Sequence, residues 1–221
     1  MSDEQSPSVR RAFLVAVKFL YYEMVSVIAL SALFWLVSIP VLTLGGSLLA
    51  LFETVSAIYS GSGPRQEVPR IRYFLRAARR NIKRGLPLTA GLLFVPFNTY
   101  WYFQIGLSSQ HDQMYLLGGI AGLYLFLIVV VFVLRTANVA TRTGSELREA
   151  VELAARSFAR RPYFAIFHTS AAVLAMLGGL FFLIALLFVV PASLALFEIV
   201  SYEEMTGGNP GVALKRYATP N

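Results

Sequence analysis

Two glutamates stand where a carboxylate is expensive to keep. Glu53 lies in the run Leu49-Ala50-Leu51-Phe52-Glu53-Thr54-Val55-Ser56, and Glu198 in Leu194-Ala195-Leu196-Phe197-Glu198-Ile199-Val200-Ser201. The two octads differ at one position and begin 145 residues apart, an internal repeat by its offset. A carboxylate placed in hydrocarbon costs at least ~2.5 kcal/mol on insertion scales, so it normally faces a bundle interior, a partner or a water-filled cavity. Two of them related by pseudo-symmetry could bind an ion or a proton. The structural alternative is that each pairs with Arg65, Arg135 or Arg161 and fixes helix register, and depths read from segment ends favour it. His168 follows Glu23 at the same offset, as Arg156 follows Arg11 and Phe158 follows Phe13. A lone histidine near a helix start reads as an interfacial polar group. Asn98 lies deeper in an apolar run and suits a hydrogen bond to a neighbouring helix or a carbonyl. The rings after it, Tyr100-Trp101-Tyr102-Phe103, suit a membrane aromatic belt. Glu53, Glu198, Asn98 and His168 are therefore the candidate binding residues.

Other chemistries have no residues to run on. The chain has no cysteine and only two histidines, His111 and His168, which excludes a disulfide framework, a thiol nucleophile and a His-rich metal cluster. It contains no GxxxxGK[ST] run, no HExxH, no GxSxG and no paired catalytic aspartates. No enzymatic activity, metal or cofactor is expected.

These residues need elements to carry them. Of 221 residues, 57% are hydrophobic and 14% charged, with a mean hydropathy of +0.63. A water-soluble domain carries nearer a quarter charged residues. The fold expected is all-α: a polytopic helical membrane protein forming a single transmembrane domain over 1–221, with residues 1–8 disordered and 206–221 a flexible tail. No cleavable signal is expected, because Lys18 and Glu23 interrupt the first apolar run. The formal charge of +7 fits arginine-rich cytoplasmic loops in a plasma-membrane protein, and nucleic acid is not expected as a partner.

Six membrane segments are expected: Tyr21 to Ile39, Gly45 to Ser60, Leu86 to Leu107, Met114 to Leu134, Tyr163 to Ile184, and Pro191 to about Glu204. The second and sixth are short and follow Pro/Gly breaks at Pro40 and Pro191. The rival is four or five spans, with the two Leu-Ala-Leu-Phe-Glu pieces interfacial or fused to the preceding helix. Apolar residues at helical spacing recur at Val9, Ala12, Phe13, Ala16, Leu20, at Ile71, Phe74, Leu75, Ala78, Ile82, and at Leu147, Ala150, Val151, Ala154, Phe158. Each stripe predicts a basic amphipathic helix lying in the headgroup plane and leading into a span. Arg76, Arg79, Arg80, Lys83 and Arg84 on the second, with Arg156, Arg160 and Arg161 on the third, would face anionic lipid or a partner. With both basic loops inside, both termini are expected in the cytoplasm.

The block Phe34-Trp35-Leu36-Val37-Ser38-Ile39-Pro40-Val41-Leu42-Thr43-Leu44-Gly45-Gly46, followed by Ala50-Leu51-Phe52, resembles the YesL family of prokaryotic membrane proteins. The family pattern runs L-W-x-L-x-S-x-P-x-x-T-x-G, then a helix opening with small residues and A-L-[FY]. The basic stretch Phe74 to Arg84 and the Gly85-Leu86 entry resemble its next block. Gly46-Ser47 departs from the Pro-Ala pair common after the glycine. Members often occur beside carbohydrate-uptake ABC transporter components. The resemblance thus implies an accessory role in sugar import, with permease and ATPase subunits as partners, and it carries over no catalytic residue. The competing function is a small secondary transporter or channel that uses Glu53 and Glu198 as coupling carboxylates. Self-association into a homo-oligomer is left open.

Overall fold

The computed structural model describes residues 9–108, 113–160, 170, 174 and 188–206. Among these the chain is all-helical, with seven α-helices. They are α1 (Val9–Tyr22), α2 (Met24–Ser38), α3 (Leu44–Ser60), α4 (Glu67–Ser108), α5 (Gln113–Thr143), α6 (Leu147–Arg160) and α7 (Val190–Met205). His168, Arg161, nearly all of the expected fifth segment, and both terminal stretches lie outside the described residues.

α1 and α2 meet at Glu23 with a bend of 89°. The first amphipathic stretch is therefore a helix of its own, turned across the start of α2. Its buried face is Ala12, Val15, Ala16 and Phe19, whereas Phe13 is 56% exposed, so the face that packs is rotated from the expected stripe. Pro40 ends α2. A single 3₁₀ turn, Val41–Thr43, then leads straight into α3. The Thr43 hydroxyl donates to the Pro40 carbonyl at 2.6 Å, and the Ser38 and Ser47 hydroxyls bond each other across the turn at 2.6 Å. α7 begins with Pro191 in its first turn, where the missing N–H costs nothing. The next free N–H, that of Ala192, donates to Ser31 Oγ of α2 at 3.1 Å.

The greatest departure from expectation is α4. The basic stripe over 71–82 and the apolar segment over 86–107 form one continuous helix of 42 residues, about 63 Å long. Pro87 and Pro96 lie inside it without ending it. In sequence the change from Lys83-Arg84 to an apolar run reads as a boundary between two elements. In the backbone it is only a change of surroundings along one rod. The second basic helix thus continues the axis of the following segment and does not lie across it.

α3 runs antiparallel to the charged half of α4. Gly45 and Gly46 pack directly on Gly85: a Cβ added at Gly45 would stand 2.0 Å from the Gly85 carbonyl oxygen, and one at Gly85 2.2 Å from the Gly46 nitrogen. Thr89 Oγ1 accepts the Gly45 N–H at 2.8 Å. At the far end Gly61, at φ 70°, closes α3 in the left-handed conformation that glycine takes without strain. Seen from the other side, the apolar half of α4 pairs with the first half of α5: Tyr102 stands over Gly118, Phe103 over Gly119 and Thr99 over Gly122. These glycines let the two axes approach closely.

By length and composition two helical stretches among the described residues can cross a membrane, Val41–Ser60 and Gln113–Thr143, or three if the bent α1–α2 pair counts as one. The two differ in what surrounds them. In the most apolar part of the first, 61% of residues are buried within the protein, against 17% in α5. α3 is an interior helix laid along an arginine-bearing partner, and α5 presents its apolar side outward. Leu117, Leu123, Tyr124 and Ile128 of α5 and Phe94, Phe97 and Trp101 of α4 are all more than half or close to half exposed. An apolar surface of that extent suits contact with a membrane or with another protein. Among the described residues two or three crossings are supported and not six: the second and fourth expected segments are long and apolar enough to cross, the third, diluted by Pro87, Pro96 and Asn98, falls short by hydropathy, and nearly all of the fifth lies outside the described residues.

Candidate functional site

The charged residues buried by this packing fall into three separate clusters. The deepest lies between α5, α6 and α7. Arg135 is 0% exposed and Glu198 1%, and Arg135 Nε stands 2.5 Å from Glu198 Oε1. The guanidinium carbon also lies 5.2 Å from the Phe158 ring centre and 5.3 Å from that of Tyr202, and one terminal nitrogen lies 3.3 Å from Met205 Sδ. Asn138 Nδ2 donates to the Glu198 carbonyl at 3.3 Å. The aromatic faces supply negative quadrupole where water would otherwise solvate the cation. Glu198 is thereby a structural counter-ion, and Arg135 is one of the partners its sequence context suggested.

Glu53 stands in a different environment. It is held by three groups of the neighbouring charged half of α4. Arg80 forms an ion pair with it, the Tyr73 hydroxyl donates to Oε1 at 3.0 Å, and Asn81 Nδ2 donates to Oε2 at 3.2 Å. Its side chain is 21% exposed and that of Arg80 69%. Burial and then the Glu53 carboxylate hold the Tyr73 phenol above the usual tyrosine range. Neither Arg65 nor Arg135 is among these partners, and Arg161 lies outside the described residues. The expectation that Glu53 and Glu198 occupy equivalent places is corrected in their surroundings: Glu53 is at the half-open seam of the α3–α4 pair, and Glu198 is fully enclosed. Octads that differ at one position have been given different surroundings, because α3 lies on a basic helix and α7 lies on the buried end of α5.

The third cluster was not singled out from sequence. Arg70 is buried and reaches Glu23 Oε2 at 2.6 Å, Glu67 Oε1 at 3.0 Å and the Pro64 carbonyl at 2.8 Å. The Ser26 hydroxyl lies 2.8 Å from an oxygen of each glutamate. The effect is to pin the 89° bend at Glu23 to the first turn of α4. The signal available was Glu23 itself, an acid interrupting an apolar run, but its partner is 47 residues away.

The other candidates are placed as follows. Asn98 Nδ2 donates to the Phe94 carbonyl of its own helix at 2.7 Å, the carbonyl option and not a neighbouring helix. Arg76, Arg79 and Lys83 are exposed on the outer face of α4, with Arg76 bonding its own Arg72 carbonyl at 3.3 Å. Arg84 turns inward and donates to the carbonyls of Ala140, at 3.1 Å, and Ser145, closing the end of α5 where Gly144 takes φ 65°. Charge near a helix C-terminus suits the exposed carbonyls there. Arg156 and Arg160 are exposed near the end of α6. Arg142 pairs with Glu203 and stacks over Tyr202 at 5.5 Å. Among the described residues no three His, Asp or Glu side chains come together as a metal-ligand set.

Among the described residues, neither Glu53 nor Glu198 lines the shallow hollow on the outer face of α4 around Phe94 and Pro96 or the cleft of about 360 Å³ between α6 and α7. What the clusters can do chemically is neutralise charge and fix helix register. Compared with known proteins, the chain matches no family model, no curated protein and no solved structure, so the resemblance to the YesL family rests on the residues quoted for it alone.

Proposed function

We propose that this chain is a non-catalytic, multi-pass membrane protein that serves as an accessory component of a carbohydrate ABC-type uptake system. The observation that favours an accessory role over intrinsic transport is the separation of the carboxylates: Glu53 answers to Arg80 and Glu198 to Arg135, at different places in the bundle. Coupling carboxylates of a transporter would converge on one water-accessible cavity, and these two do not. The assignment to sugar uptake rests on the resemblance of residues 34–52 to the YesL family.

In this reading α5 crosses the plasma membrane by its first half, and the apolar half of α4 crosses beside it as a hairpin: the lower hydropathy that Pro87, Pro96 and Asn98 give it is offset by its pairing with α5. The charged halves of both helices, with α3 and α6, stand at the cytoplasmic side, since arginine-rich segments are retained there. Both termini are cytoplasmic. The exposed row Arg72, Arg76, Arg79 and Lys83 is then a docking face for a partner subunit.

Tagged co-purification from native membranes in mild detergent tests the assignment. Recovery of permease or ATPase subunits near one-to-one is the expected result. Recovery of the chain alone, with solute flux in liposomes that Glu53→Gln abolishes, would replace this reading with intrinsic transport.

A further inference from the structure

α6 and α7 enclose a cleft whose wall is half polar and half apolar. Its volume is about 360 Å³, and Leu153 and Met205 form the apolar side. Arg156 and Arg160, one turn apart on α6, form the cationic side, with Ser157 and Thr206 between. The polar groups differ in what they can still offer. Ser157 Oγ donates to the Ala154 carbonyl at 2.7 Å, and Thr206 Oγ1 donates to the Tyr202 carbonyl at 3.0 Å. Their hydrogens are spent within their own helices, so toward the cleft both hydroxyls are acceptors. The donors are the two guanidiniums. Arg156 has one acidic neighbour, Glu152, at 3.6 Å on an exposed surface where such a pair holds weakly. Glu203 is engaged by Arg142.

The cleft also sits at a defined height. α6 runs back along α5, and Phe158, between the two arginines, stacks on Phe132 with ring centres 6.2 Å apart. Phe132 marks the point where α5 changes character. Before it Leu123, Tyr124, Leu125 and Ile128 are at least half exposed, and from Val133 to Ala140 every residue is buried. On the membrane reading proposed above, that point bounds the lipid-exposed part of the hairpin and so lies near the headgroups.

We propose that this cleft binds the headgroup of an anionic phospholipid whose phosphodiester carries free hydroxyls, with Arg156 and Arg160 on the phosphate. Guanidinium forks match phosphate oxygens in geometry and charge. Ser157 and Thr206 accept from the hydroxyls of a glycerol-type headgroup, and Leu153 and Met205 take its apolar neck. A choline headgroup, which has no hydroxyl to donate and carries its own cation, fits poorly. The proposal rests on the membrane reading given above but not on the sugar-uptake assignment.

The test is lipid titration of the full-length protein in neutral detergent, followed by intact-complex mass spectrometry. The probes are phosphatidylglycerol, phosphatidylcholine and water-soluble sn-glycerol 3-phosphate. The expected result is one phosphatidylglycerol retained per chain, bound at least about tenfold more tightly than phosphatidylcholine. R156Q/R160Q should weaken it about tenfold or more, and R156K/R160K should recover part of the loss, since two cations near a headgroup act mainly through charge. R76Q/R79Q, on the outer face of α4, should leave it unchanged. Equal weakening by R76Q/R79Q would mean diffuse attraction to anionic lipid and overturn the proposal. Equally tight binding of glycerol 3-phosphate would assign the cleft to a soluble phosphate ester instead. A chain that retains no lipid of any class would bring down the membrane reading itself, a distinct failure.

Discussion

At the scale of the residue, the lesson is how differently one octad is treated at its two sites. Glu198 has traded water for an arginine that is itself wrapped in Phe158, Tyr202 and Met205. Removing one member of such a pair leaves the other buried and uncompensated, which costs about 3–5 kcal/mol. Glu198→Gln should therefore lower the midpoint of thermal unfolding in detergent sharply, and Arg135→Met combined with Glu198→Leu should recover most of the loss. Glu53→Gln keeps one carbonyl oxygen to accept from Asn81 and turns its amide N–H toward the Tyr73 hydroxyl, which can accept in place of donating, and it gives up a partner that is mostly in solvent, so only about 1 kcal/mol should be lost. Equal effects of the two Glu→Gln variants would show that the environments are alike after all. The residues themselves were legible, because an acid in an apolar run is conspicuous. Their partners were legible only in part. Arg135 could be proposed for Glu198, but Arg80 for Glu53 depends on the register of the α3–α4 pair, which no local pattern reveals.

At the scale of the element, that register is set by glycines. Gly45, Gly46 and Gly85 bring two backbones into contact, with no room for a methyl group on either side. Gly85→Ala should push α3 off α4, costing at least the 1–3 kcal/mol typical of overpacking and loosening the Glu53 cluster. Gly91 lies six residues on in the same helix and a Cβ there meets nothing within 4 Å. Gly91→Ala should be neutral or stabilising by up to about 1 kcal/mol, because alanine costs less backbone entropy in a helix. Thermal melting of the two variants side by side checks both claims. The amphipathic stretches over Val9, Ile71 and Leu147 could be read from spacing, and each is a helix. Where α4 ends could not, because Gly85-Leu86-Pro87 has the composition of a boundary while the backbone runs through it. Likewise the short length of the Gly45 to Ser60 segment was visible, but its lateral packing on arginines depends on contacts distant in sequence.

At the scale of the whole molecule, the presence of helices long and apolar enough to cross a membrane was written in composition, whereas their number was not. Hydropathy measures what a helix could dissolve in and not what covers it, and α3 is as apolar as a span while lying inside the protein. Orientation can be measured directly because the chain has no cysteine to remove first. Ser62→Cys, in the turn between α3 and α4, and Ser108→Cys, at the far end of α4, lie at opposite ends of the hairpin. In intact cells an impermeant maleimide should label Ser108→Cys and reach Ser62→Cys only after lysis. The reverse pattern would invert the proposed orientation, and labelling of both in intact cells would mean that the hairpin does not cross. The unbroken course of α4 has one further consequence, which is mechanical. On the membrane reading, a helix that moved as one body would pivot at its tightest contact, where Gly85 meets Gly45 and Gly46, with one arm among lipid tails and the other extending about 27 Å to Glu67. A tilt of about 10° in the outer arm, of the kind a change in bilayer thickness imposes, would swing the Glu67 end through roughly 5 Å. Because Arg70 ties that end to Glu23, the swing would pull on the α1–α2 elbow, and membrane thickness would be registered as leverage on the opposite side of the protein.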